Sequence, residues 1–277
     1  MKQRLQMQLF SLYEVTRESA REQIQALSDF GGGTFRPEKC DTAEPVREIF
    51  NPDDIEEPVR WLSQAGAWFQ FKKIKPVRIE GWIRNEHFAP MWTRERKGGP
   101  LIPVPPKFPE PKFLTTWTIW FDAKVAKNPG AEALSDFFVQ MAQVARAEYG
   151  YLAVESDRRK KNLLTVKAES PTTKGEFLTV DNVIGEDPSK GVPGLYWLNF
   201  FGPEYSRWLG PELRSIPADV KTLDGESTFV RFSSSPGESE SGDVLERQRA
   251  SIDLLGESKF FHVELPNEHV EQPPFTQ

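Results

Sequence analysis

The segment Leu195–Phe201 limits the possible folds of this chain more than any other part of the sequence. It reads Leu-Tyr-Trp-Leu-Asn-Phe-Phe, and Asn199 is its only polar residue. In an extended strand, successive side chains point to opposite faces. The two expected faces carry Leu195, Trp197 and Phe201 on one side and Tyr196, Leu198 and Phe200 on the other. A strand with two apolar faces belongs inside a sheet that is covered on both sides, so we predict a central strand here.

Alternating or β-rich segments predict further strands around this one. They are Val77–Ile83, Phe113–Phe121, Tyr151–Glu155, Leu163–Val166, Val220–Leu223, Thr228–Phe232 and Phe260–Leu265. The Asp224-Gly225 pair is typical of the turn of a hairpin. The charged run Asp157–Lys161 is expected to form a turn between two of these strands.

Apolar residues at helical spacing predict three longer helices. They are Ser11–Phe30, Ala131–Tyr149 and Asp243–Leu255, and a short helix is expected from Pro203 to Leu209. We expect Gly31–Gly33 to end the first helix, Gly150 to cap the second at its C-terminus, and Asp243 to cap the last at its N-terminus. Together these elements predict an α+β fold, with a mixed or antiparallel β-sheet and helices packed on its faces.

The proline-rich stretch Gly98–Lys112 is a candidate boundary between two halves of the chain. Its six prolines predict a loop or an extended connector. Residues 1–112 would then form an N-terminal α+β half and residues 113–277 a second α+β half. One continuous domain of 277 residues fits the length equally well.

Composition indicates a cytoplasmic location and argues against membrane and nucleic-acid partners. No apolar stretch is long enough to span a membrane, and no apolar leader segment follows the basic N-terminus. The single cysteine, Cys40, cannot form an internal disulfide, which is typical of a reducing compartment. We therefore expect a cytoplasmic protein. The net charge of −6 argues against direct nucleic-acid binding, because such proteins are usually basic.

The usual signatures of catalysis are missing from the sequence. There is no G-x-S-x-G nucleophile motif and no phosphate-binding loop, and the three histidines have no metal-site spacing. Acidic neighbours of Cys40 are expected to keep its thiol protonated and inert. We therefore predict no catalytic residue, no cofactor, no metal and no enzyme activity. The alternative is a small-molecule or carbohydrate hydrolase that uses two of the 41 acidic residues.

Residues 192–205, with Trp208-Leu209-Gly210 after them, read Val-Pro-Gly-Leu-Tyr-Trp-Leu-Asn-Phe-Phe-Gly-Pro-Glu-Tyr. This string resembles the strand-turn-helix segment of the immunity protein 52 family, which belongs to polymorphic-toxin and type VI secretion systems. The Tyr149-Gly150 pair upstream, and a hairpin and helix downstream, follow in the same order. The resemblance covers roughly residues 113–262.

The resemblance implies that the chain binds and neutralises a cognate secreted toxin, with a nuclease effector as the expected partner. Residues 41–57 contain seven acids against one base, a local net charge of −6. We call this stretch the acidic segment. Carboxylates can occupy the basic groove of a nuclease in place of phosphates. We therefore predict toxin contacts at Asp53, Asp54, Glu56 and Glu57, with no direct contact to nucleic acid or membrane.

Overall fold

The computed structural model describes residues 4–64, 66–85, 91–94, 101–104, 113–169, 177–183, 188–262 and 270–276. The strands are β1 (Arg4–Ser11), β2 (Lys39–Asp41), β3 (Glu48–Ile49), β4 (Trp68–Lys73), β5 (Ile79–Asn85), β6 (Met91–Arg94), β7 (Leu101–Val104), β8 (Thr115–Asp122), β9 (Tyr149–Val154), β10 (Leu163–Glu169), β11 (Phe177–Val183), β12 (Leu198–Phe201), β13 (Asp219–Thr222) and β14 (Thr228–Arg231). The helices are α1 (Arg17–Gly33), α2 (Glu56–Leu62), α3 (Ala131–Val144), α4 (Glu155–Asn162), α5 (Pro203–Leu209) and α6 (Gly242–Leu255). None of the helices in these ranges is long and apolar enough to cross a lipid bilayer.

A ten-stranded sheet in the order β13-β14-β12-β9-β1-β8-β5-β4-β2-β3 organises the chain. Every strand pair in it is antiparallel, and β6–β7 and β10–β11 form two separate hairpins. Helices α1, α2 and α3 pack on one face of the sheet, and α5 and α6 pack on part of the other. The predicted α+β class with an antiparallel sheet is therefore confirmed. The sheet takes strands from both sides of residue 112, because β8 pairs with both β1 and β5.

The aromatic segment lies inside the sheet, as predicted, but only Leu198–Phe201 forms the strand β12, between β9 and β14. Leu198 and Phe200 join the core under α3, while Phe201 joins the core under α5. The predicted alternation is wrong at Tyr196, which shares a core with Phe201, and at Trp197, which shares the α3-side core with Leu198. The cause is local, because the Asn199 side chain bonds both the N–H and the carbonyl of Tyr196 and turns the chain before the strand.

The first helix begins later than predicted. Residues 4–11 form β1, so the expected start at Ser11 is wrong, and Thr16 caps α1 by accepting a hydrogen bond from the Ser19 N–H. The predicted stop is confirmed, because Gly31 and Gly32 adopt positive φ angles of 55° and 68° that end the regular helix.

Two further predictions around residue 150 are wrong. Helix α3 ends at Val144, and Gly150 is a strand residue of β9 instead of a helix cap. The charged run Asp157–Lys161 lies in helix α4 and not in a turn. Lys161 and Asp157 form an ion pair one helical turn apart, and a search for apolar spacing does not detect such a pair.

Toward the C-terminus, the short helix α5 and the β13–β14 hairpin follow the predictions. Helix α6 is capped by Ser241, which accepts from the Val244 N–H, so the predicted cap Asp243 is wrong by two residues. Phe260 forms only an isolated bridge with Val192, and residues 263–265 of the predicted last strand lie outside the described residues. Apart from β7, residues 98–112 also lie outside them.

Candidate functional site

The face of the sheet opposite α1 and α3 carries three tryptophans on strands β4, β5 and β8. We call Trp68, Trp82 and Trp120 the tryptophan cluster. The rings of Trp68 and Trp82 stack at 6.0 Å and 25°, and those of Trp82 and Trp120 meet edge to face at 4.5 Å and 63°. The Arg84 guanidinium lies 4.2 Å from the centre of the Trp68 ring. This arrangement orders four large side chains on one surface.

Strand alternation explains why the cluster forms. In β5, the residues at odd positions from Ile79 to Asn85 are buried, whereas Glu80, Trp82 and Arg84 are half-buried on the opposite face. Trp68 keeps 37% of its surface exposed. Gly81 lets the strands approach closely, because a Cβ atom there would lie 2.5 Å from the Thr118 carbonyl oxygen. The tryptophans therefore extend away from the core on neighbouring strands of the sheet.

A cleft of about 420 Å³ adjoins the cluster. It is lined by cationic side chains (Arg4, Lys72, Arg78), by carboxylates (Glu44, Glu80), and by the rings of Trp82 and Trp120. We call it the basic cleft. Arg78 donates to a Glu80 oxygen at 2.6 Å and Arg4 approaches the other oxygen at 3.4 Å. The cleft thus combines fixed guanidinium groups with an aromatic wall.

The structure places the four predicted toxin contacts on the other face of the sheet. Asp53 and Asp54 lie exposed in the turn before α2, and that helix buries Val59 and Leu62 in the core that it shares with α1. The four residues are close in sequence and in space. They lie apart from the tryptophan cluster, across the thickness of the sheet.

Two of these four acids are engaged within the chain. Arg17 and Arg21 both bind the Glu56 carboxylate, and their hydrogen bonds lower its pKa. Glu57 pairs with Arg60 at 3.0 Å. Asp53 and Asp54 form no ion pair with any described residue, although Asp54 accepts from the Glu56 N–H. The net charge that this surface presents is therefore smaller than the sequence indicates.

Two buried carboxyl groups have pKa values above their usual range. Burial raises the pKa of Glu148 to about 7, although the Glu204 N–H donates to its carboxylate at 3.0 Å. Burial also raises the pKa of Asp157, against the opposing effect of Lys161. Both side chains are at most 3% exposed, so neither is accessible to a substrate. These groups do not support the alternative of a carboxylate hydrolase.

Cys40 is buried on the core side of β2, and burial followed by the charge of Asp41 raises the pKa of its thiol to about 12. Such a thiol is protonated at neutral pH and unreactive, which fits the expectation from sequence. Among the described residues, no group of three or more His, Cys, Asp and Glu side chains could hold a metal ion. His87 and His269 lie outside the described residues.

Residues 192–205, which resemble the immunity protein 52 family, contact other parts of the chain. Lys161 donates to the Leu195 carbonyl at 2.6 Å, and the Tyr196 hydroxyl bonds the Asn162 side chain. Trp197 donates its ring N–H to the Ser233 carbonyl at 3.0 Å. All these partners tie β12 and its approach to α4 and to the loop after β14. The segment therefore holds the fold together and presents little surface to a partner.

No protein-family model matches the chain, and no characterised protein sequence matches it either. Among solved structures, the fold is similar to that of the Pseudomonas aeruginosa T6SS protein PA0821. The TM-score is 0.48 at 12% sequence identity, over 91% of this chain and 72% of that chain.

Sequence reasoning missed the tryptophan cluster, although one signal for it was present. In β8, Trp120 shares a face with two threonines, and in β5, Trp82 lies between Glu80 and Arg84. Large aromatic residues on the polar face of a strand are the residues to suspect of binding. That the two strands are neighbours, and that Trp68 joins them from β4, follows only from the sheet order.

Proposed function

We propose that this chain is an immunity protein, which binds a cognate toxin and neutralises it without catalysis. The toxin is a nuclease effector of a type VI or polymorphic toxin system, and it is met in the cytoplasm of the producing cell. The resemblance of residues 192–205 to the immunity protein 52 family supports the class of function. The tryptophan cluster is the observation that supports binding.

Tryptophan and arginine are the residues that most often dominate the energetics of protein interfaces. In the cluster they are already ordered by stacking, so little side-chain entropy remains to be lost on association. The rings extend from three hydrogen-bonded strands of the sheet, and the exposed Trp68 ring is covered on one side by Arg84. A partner that covers these rings gains apolar burial at a small ordering cost.

Asp53 and Asp54 are the second proposed contact, because they are the two of the four predicted acids that form no ion pair with a described residue. They suit a basic nuclease groove through charge complementarity, which acts mainly on the association rate. They lie on the opposite face of the sheet from the tryptophan cluster. Variants of the two surfaces can therefore be tested separately.

The test of the function is co-expression with the product of the adjacent reading frame. We expect that product alone to stop growth, and co-expression of this chain to restore growth and to allow co-purification of the two proteins. If neither rescue nor co-purification occurs with any adjacent product that is toxic, the proposed function is wrong.

The test of the surface compares tryptophans. Trp68→Ala combined with Arg84→Ala is expected to weaken the complex by at least about tenfold, or about 1.4 kcal/mol. Trp208→Ala is the control, because Trp208 likewise lies under a cation, Lys259, at 5.6 Å, but is half-buried and lies outside the tryptophan cluster. Equal losses in the two variants would remove the tryptophan cluster from the interface.

A further inference from the structure

Two lysines lie directly opposite each other on strands β2 and β4, beside the basic cleft. Lys39 and Lys72 are cross-strand partners, so both extend from the same face of the sheet. Neither has a carboxylate within ion-pair distance among the described residues. Like charges in such a pair destabilise a sheet. An anion bound between them would relieve this repulsion.

The neighbouring carboxylates neutralise the positive charge only in part. Glu80 lies opposite Lys72 on β5, but its two oxygens are approached by Arg78 and Arg4. The cleft itself has three cationic side chains against two carboxylates, and Lys39 adds a further cation at its side. This local excess of positive charge occurs on a chain whose net charge is −6. The charges favour an anionic ligand.

The aromatic wall narrows the class of ligand. Trp120 is the cross-strand partner of Glu80, so an indole ring lies next to the arginine-bound carboxylate. Trp82 closes the same side through its edge-to-face contact. A planar ring can pack on indoles while an attached anionic group meets the cations, and the volume of about 420 Å³ is typical of small-molecule sites.

We propose that the basic cleft binds a planar aromatic anion, with its ring against Trp82 and Trp120 and its carboxylate or phosphate against Lys72 and the arginines. This site requires no toxin, so the proposal goes beyond the proposed function and can be tested on the purified chain. A ligand here would lie at the edge of the tryptophan cluster. Its binding would therefore couple to any partner that covers Trp82.

Titration calorimetry on the full chain tests the site with four probes: AMP, indole-3-acetate, adenosine and inorganic phosphate. We expect the two planar anions to bind with dissociation constants below about 1 mM. Adenosine lacks the charge and phosphate lacks the ring, so each is expected to bind at least about tenfold more weakly. AMP against indole-3-acetate then separates a phosphate ligand from a carboxylate ligand.

Lys72→Met keeps the aliphatic stem and removes the charge, so the fold should be retained. We expect this variant to bind the planar anion at least about tenfold more weakly, with binding less sensitive to salt. Lys221→Met, on the exposed edge strand β13, is the matched control and should bind as the parent chain does. The proposal is overturned if no planar anion binds, if phosphate alone binds equally well, or if both lysine variants lose the same affinity.

Discussion

The two halves of one sheet face differ in what covers them. A single cross-strand row passes through Trp68, Arg84, Phe10, Tyr149 and Phe201. At the end of the row on β9 and β12, Tyr149 and Phe201 are fully buried, and Tyr205 of α5 packs over Tyr149 with ring centres 5.4 Å apart. At the other end of the row, on β4 and β5, the exposed Trp68 ring lies under Arg84. One strand alternation therefore produces a core on one side and a candidate binding surface on the other.

This contrast separates residues that identify the fold from residues that can recognise a partner. Residues 192–205, which resemble an immunity family, are almost all buried, and their side chains contact other elements of the chain. The tryptophan cluster lies outside that segment, in strands that the resemblance covers only at β8. A family likeness carried by core residues thus says little about the contact surface.

The largest expected difference is in the stability lost when a buried or an exposed tryptophan is truncated. Trp197 is 0% exposed and donates a hydrogen bond to the Ser233 carbonyl, so Trp197→Ala leaves both a cavity and an unpaired carbonyl. We expect a loss of about 4 kcal/mol. Trp68→Ala should cost about 1 kcal/mol, mainly its cation–π and stacking contacts. Urea unfolding of the two variants measures this, and equal losses would contradict the contrast.

A buried and an exposed ion pair should differ by a smaller amount. The Lys161 ammonium lies 2.8 Å from Asp157, which is 2% exposed. Asp157→Asn leaves that ammonium with the Leu195 carbonyl and Gln248, and we expect a loss of about 2–3 kcal/mol. The Glu57–Arg60 pair is 63% exposed on both sides, so Glu57→Gln should not change the urea midpoint measurably. A clear shift in the Glu57 variant would show that this surface pair matters more than its exposure indicates.

A third difference concerns pH. The pKa of Glu148 is raised to about 7 in the folded chain from 4.5. Between pH 4.5 and about pH 7 the carboxyl group of Glu148 is deprotonated in the unfolded chain and protonated in the folded chain. The free energy of unfolding therefore falls as pH rises through this range, and it levels off above about pH 7. We expect a fall of about 1–3 kcal/mol, and Glu148→Gln should remove most of it. Urea unfolding at pH 5 and at pH 8 measures both, and an equal fall in the variant would assign it to another group.

The amino-acid pattern predicts the buried elements well, because the apolar residues that form the pattern are the ones that pack in the core. The alternation of β8, the hairpin after Val220 and the helix α5 all follow from apolar spacing and turn residues. Strand β1 was open to the same argument, since Leu5, Met7 and Leu9 alternate with polar residues. Helix α4 was not, because ion pairs and not an apolar stripe support it.

The candidate surfaces depend on information that no local pattern contains. Trp68, Trp82 and Trp120 come together only because β4, β5 and β8 are neighbours in one register. The charge of the acidic segment depends likewise on Arg17 and Arg21, which α1 brings to Glu56 from 35 or more positions away. Counting acids within a window of sequence could not include these partners.

The smallest expected effect on stability separates the two candidate contacts. Asp53→Lys with Asp54→Lys changes two exposed acids, so the urea midpoint should not shift measurably. If these acids contact a basic groove, the complex with the toxin should form at least about tenfold more slowly at low salt, and the difference should shrink as salt is added. Glu246→Lys with Asp253→Lys on α6 is the matched control, because it makes the same change of charge at two exposed positions on the opposite face of the sheet. A slower association in both double variants would indicate a general charge effect. A loss confined to the first would place the toxin on the helix-covered face, away from the tryptophan cluster.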